Sequence, residues 1–182
     1  MQTCHLFWQD IPGYRLIVRS VILELKQRPI NEYSDSLIEA TLALCSNSEL
    51  VTVFMTIVFQ RTNVYDSTTL CTTMSLITKW LNHIEKLGLP FPSNFDFSFF
   101  HKGLTIALEL EHSLSIPRTL HLLYRTLHYF PIEQRSVLVQ ELFHKFFYQL
   151  FFSWSYNIRD LFMALLLYQI DYFFIACTST NL

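Results

Sequence analysis

The chain has 182 residues, 51% hydrophobic, 16% aromatic and 15% charged, with 17 Phe, 3 Gly and a net charge of −2. That much apolar surface offsets chain entropy and excludes a disordered polymer, and the length fits one domain or one compact piece of a longer protein. Gly13, Gly88 and Gly103 stand too far apart for a phosphate-cradling loop, and the 13 basic residues form no run that would mark a nucleic-acid face, so no nucleic acid partner is expected.

Residues 14–27 are predicted as the first helix, carrying Leu16, Ile17, Val21, Ile22 and Leu25. It stops before Pro29, because the residue preceding a proline is pushed out of the helical region. Ser34 or Asp35 caps a second helix with Leu37, Ile38, Leu42 and Leu44, ending near 46–47. Residues 49–60 form a third; their Val, Thr, Ile and Phe content also suits a strand, and helix is preferred because helices flank the segment closely. Asp66 or Ser67 caps a long helix to about 87, closed by Gly88 with Pro90 and Pro92 beyond it. A proline- and phenylalanine-rich loop over about 88–98 is the clearest break. The fifth helix is expected over 99–112, and the sixth opens with Pro117 in its first turn and ends before Pro131. The seventh runs from 131 or 132 to about 152. Ser155 caps the eighth, from 156 to about 175.

Short links place successive helices antiparallel. The expected fold is all-α: a single unit over 1–182, or a fragment of a larger helical-repeat protein, built as an α-solenoid of stacked hairpins. A closed helical bundle is the alternative. Residues 142–152 and 161–174 are apolar almost all round, so these helices need cover on more than one side.

No transmembrane span is expected. The two most apolar stretches, 50–59 and 161–176, contain Thr52 and Thr56, and Gln169 and Asp171, and both are shorter than a bilayer core requires. Residues 1–10 lack the basic and apolar regions of a signal peptide, which points to a cytoplasmic protein. Cys4, Cys45, Cys71 and Cys177 lie far apart in sequence, so they read as core filler rather than as a metal or redox pair.

Two Glu-x-x-His pairs, Glu109/His112 and Glu141/His144, have the spacing of ferritin-like di-iron ligands, since residues three apart share a helix face. Yet Lys102, Thr105, Glu109 and His112 form one polar stripe, and Gln134, Glu141, Lys145 and Tyr148 another. Bundle ligands would interrupt the apolar face instead, so no metal and no cofactor is expected. A basic stripe on the sixth helix, Arg118, His121, Arg125 and His128, is a candidate surface for an acidic partner or a phosphate headgroup; the alternative is a solvated face paired with acidic neighbours. Phe97, Phe99 and Phe100, beside the proline loop, read either as an exposed epitope or as residues plugged back into the core. No nucleophile elbow or other catalytic motif is present.

Residues 155–167 resemble the second helix of a HEAT repeat: a polar cap, the aliphatic-Arg pair Ile158-Arg159, then Phe162, Leu165 and Leu166 at packing positions. The resemblance implies that Arg159, with Asp160 and Trp154, serves contacts between repeats. More widely, residues 116–170 resemble a eukaryotic family catalogued as a domain of unknown function, number 1765. That resemblance rests on Leu123–Arg125, Arg135 and the Phe152-Ser-Trp-Ser block before Ile158-Arg159, and residues 61–66 are compatible with it. It implies a helical-repeat protein and no activity. The resulting expectation is a non-enzymatic binding or scaffold module for a protein partner. The rivals are a helical-bundle metal protein using the Glu-x-x-His pairs and a peripheral membrane adaptor.

Overall fold

A computed structural model describes residues 11–110 and 112–179, with side chains to Leu167. Cys4, Cys177, the 1–10 stretch and the side chains of 168–176 lie outside the described residues. Within them the protein is all-α: α1 Tyr14–Gln27, α2 Asp35–Leu44, α3 Glu49–Arg61, α4 Ser67–Lys86, α5 Phe97–Glu109, α6 Ser115–Thr126, α7 Ile132–Phe151 and α8 Tyr156–Ser179. Short 3-10 turns follow α1 at Ile30–Glu32 and α6 at Leu127–Tyr129.

Local chemistry sets most boundaries. The Ser34 hydroxyl accepts from Leu37 N–H (3.3 Å) and opens α2. Asp66 opens α4, accepting from Thr68 N–H (3.0 Å) and from the Thr69 hydroxyl. α4 ends in a Schellman turn: Gly88 N–H reaches Glu85 O, Leu89 N–H reaches Ile84 O, and Gly88 takes φ +66°. α5 starts two residues earlier than the sequence suggested, because Asp96 is its cap and accepts from Phe99 N–H (2.9 Å). α6 begins at Ser115, so Pro117 falls within the first turn, where a missing N–H costs nothing.

Packing runs in two layers. α2, α4, α6 and α8 contact one another in succession, α1 meets α3 and α5 meets α7, and cross-layer contacts join α1 to α2, α3 to α4, α5 to α6 and α7 to α8. The core they enclose centres on α4 and α6, with Trp80, Leu81, Ile84, Leu120, Leu122 and Leu123 almost wholly buried. Buried threonines fit this apolar setting by bonding backward along their helix: Thr73, Thr78, Thr119 and Thr126 each donate to the carbonyl four residues earlier. A Thr62–Thr73 hydroxyl contact (2.7 Å) joins the end of α3 to α4.

α1 buries Val21 and Leu25, whereas Leu16 and Ile17 turn outward, 69% and 57% exposed. Of the two readings of the phenylalanines beside the proline loop, Phe100 follows the one that plugs it into the core, since it is completely buried. With half-buried Phe97 it joins Phe91, Phe95 and Phe130 in one cluster, ring centroids 4.8–6.1 Å apart, and Phe99 meets Phe59 edge-on at 5.8 Å. Large rings beside a proline loop gain more from one another than from solvent.

Candidate interaction surfaces

The turn between α7 and α8 carries an exposed aromatic surface. Trp154 is 86% exposed and Tyr148 75%, and Phe152 and Tyr156 are also open to solvent. Tyr148 and Phe152 stack with nearly parallel rings, centroids 6.4 Å apart, and Phe151 meets Phe152 edge-on at 5.1 Å. Beside them lies a cleft of about 340 Å³ lined by Ile116, Gln149, Leu150, Phe152, Trp154 and Ile158.

Arg159 fixes this turn. Its guanidinium donates from Nη1 to Ser153 O at 2.5 Å, and Ser155 N–H donates to the Ser153 hydroxyl at 3.3 Å. Arg159 is half-buried, and its bond runs to the turn six residues earlier that leaves α7, tying the start of α8 to that turn. Asp160 is exposed on α8, just past its first turn. Trp154 is thus held on a braced loop with its indole outward. Its exposure was not foreseen, because an aromatic-rich segment reads as core; the flanking Ser153 and Ser155, which break the helix, were the available signal.

The basic stripe forms as the spacing indicated. Arg118, His121, Arg125 and His128 are all exposed along α6 and the turn after it, opposite buried Leu120, Leu123 and Leu127. The structure adds a second wall from α4. Asn82, Glu85 and Lys86 join Tyr124, Arg125 and His128 around a cleft of about 570 Å³, and His128 Nε2 contacts the Glu85 carboxylate. Partial burial, reinforced by Arg125 and Arg118, pushes the His121 pKa below its ordinary value. Burial and the nearby Glu85 carboxylate push the Tyr129 hydroxyl up to about 12, and it donates to Leu89 O at 2.7 Å.

The carboxylates of the two Glu-x-x-His pairs have other partners. Glu109 takes the Lys145 ammonium at 2.5 Å, and Glu141 takes His101 Nε2 at 2.8 Å, so each carboxylate bridges α5 and α7. His144 is exposed, and His112 sits at the α5–α6 turn, where its carbonyl accepts from Ser115 and Ile116 N–H. Among the described residues, no group of three or more His, Cys, Asp or Glu side chains is placed to hold a metal ion. Burial raises the Cys45 thiol to about 12 and also raises Cys71, which leaves neither poised as a thiolate. No helix among the described residues is long and apolar enough to cross a membrane.

Residues 51–170, about two thirds of the chain, match the family described as a protein of unknown function (DUF1765). The match runs from α3 into α8 and takes in the aromatic turn, the basic stripe and both Glu-x-x-His pairs. No curated protein and no solved structure matches the chain.

Proposed function

The chain belongs to the DUF1765 family of unknown function, and we infer from its surface that it is a non-enzymatic binding module for a protein partner. The observation that carries this reading is Trp154, 86% exposed on a braced turn with Tyr148, Phe152 and Tyr156 around it. Trp and Tyr dominate the energetics of protein interfaces, and rigid presentation lowers the entropy lost on docking. In this reading the partner supplies the cover that the apolar ends of α7 and α8 require. The two-layer packing supports a stack of helical hairpins, either one module or part of a longer array, in which Arg159 serves the register of the α7–α8 hairpin. The stripe of Arg118, His121, Arg125 and His128 would steer an acidic partner toward the same helical layer.

A photo-crosslinking residue in place of Tyr156 tests the reading in cell extract. One protein should be captured reproducibly, and capture should fall at least ten-fold when Trp154→Ser and Phe152→Ser are added. Charge reversal by Arg118→Glu and Arg125→Glu should slow capture without abolishing it. Capture indifferent to Trp154→Ser, or capture of nothing above a control probe placed at exposed Glu32, would overturn the proposal.

A further inference from the structure

A second surface, on the opposite end of the molecule in sequence, has a different character. We propose that α1 is a docking face for an anionic lipid bilayer. Leu16 and Leu23, about 20° apart on the helical wheel, project from α1 as exposed apolar residues, with Ile11 exposed just before the helix. Beside this ridge, Arg15, Arg19 and Lys26 fall within an arc of about 40° on the helical wheel. All three are exposed, and none has an ionic partner among the described residues. The helix and its C-terminal cap carry four cations, counting Arg28, against one carboxylate, Glu24, in a chain of net charge −2. Positive charge is therefore concentrated on this element.

The cations also rim a shallow apolar trough of about 450 Å³ floored by Tyr14, Val18, Ile22 and Leu50. Apolar side chains that protrude beside a row of cations match the interfacial boundary, where hydrocarbon lies a few ångströms below phosphate. A second copy of the chain fits less well. Two-fold pairing through α1 would bring one row of Arg15, Arg19 and Lys26 toward the other, and like charges across an interface oppose docking.

Co-sedimentation of the full chain with vesicles is the test. The chain should pellet with phosphatidylserine-containing vesicles and stay in the supernatant with pure phosphatidylcholine, and added salt should release it. Arg15→Gln with Arg19→Gln should lower partitioning by about twenty-five-fold, about five-fold per cation. Leu16→Ser with Leu23→Ser should abolish it while circular dichroism stays unchanged, since both side chains are exposed. Lys79→Gln with Lys102→Gln removes the same charge elsewhere and should leave binding intact. Equal binding to both vesicle types, no loss in the Arg15/Arg19 variant, or no binding at all would overturn the proposal. A dimer in sedimentation velocity that Leu16→Ser and Leu23→Ser dissolve, without vesicle binding, would assign the face to self-association instead.

Discussion

The indole Nε1 of Trp80 donates a hydrogen bond of 2.9 Å to the hydroxyl of Thr41, and both side chains are buried. This polar contact crosses from α4 to α2 through the core. The Thr41 hydroxyl in turn donates to Ile38 O at 2.6 Å, so both groups are satisfied. Thr41→Val keeps the shape and removes the acceptor, stranding a buried N–H. The expected loss is about 1–3 kcal/mol in denaturant unfolding. Trp80→Phe in the Thr41→Val background removes the stranded donor, so the double variant should lose less than the sum of the two single changes. An additive result would show that the bond contributes nothing.

Gly88 is required by backbone conformation alone. It sits at φ +66°, and a Cβ placed there would meet no atom within 4 Å. Gly88→Ala should therefore destabilise by about 1–2 kcal/mol, through left-handed strain and not through a clash. Gly88→Asn should cost less, because asparagine tolerates this region. Thermal melts of the two variants give the comparison, and equal losses would show that tolerance of the left-handed region does not set the cost.

What could be read from the sequence divides along local and non-local lines. α1 is legible to the residue because Pro29 stops it and its apolar spacing is strong; α4 is legible because Asp66 and Gly88 bracket it. The start of α5 is harder, since Phe95 and Phe97 resemble loop aromatics and hide Asp96 as a cap. Which apolar residues of α1 stay outside, Leu16 and Ile17 among them, depends on where α2 and α3 pack, and spacing alone does not report that. The basic stripe on α6 needed only the 3.6-residue period. Its opposing wall, Glu85 and Lys86, comes from about forty residues earlier and is visible only once α4 and α6 are packed. Trp154 is masked by composition, because in an aromatic-rich chain the flanking Ser153 and Ser155 are the one local mark that its ring stays outside.

Gly103 is set by its neighbour. It lies inside α5, where alanine would ordinarily be favoured by about 1 kcal/mol. A Cβ at this position would stand 2.8 Å from two ring atoms of Phe59. That ring is held edge-on by Phe99 and Phe100, centroids 5.8 and 6.3 Å away, so it has little freedom to yield. Gly103→Ala should lower stability by about 1–3 kcal/mol through overpacking. Adding Phe59→Leu should recover part of that loss, and a double-mutant cycle measures the coupling. A stabilised Gly103→Ala protein would show that helix propensity outweighs the contact.

His121 should titrate below its ordinary value of 6.5, because burial and the two flanking guanidiniums, Arg125 and Arg118, all disfavour its charged form. The sign for stability follows from proton linkage. In the unfolded chain His121 takes up its proton first as pH falls, so its contribution is complete above about pH 6.5 and is lost on acidification toward the folded pKa. Burial is the leading cause, so Arg118→Gln with Arg125→Gln should raise the midpoint without restoring it fully. Proton NMR of the His121 ring follows both proteins directly. Added salt should shift the wild-type midpoint upward by screening the guanidiniums and should move the double variant less. A midpoint at or above 6.5, or one indifferent to both arginines, would mean that the stripe does not act on its own histidine.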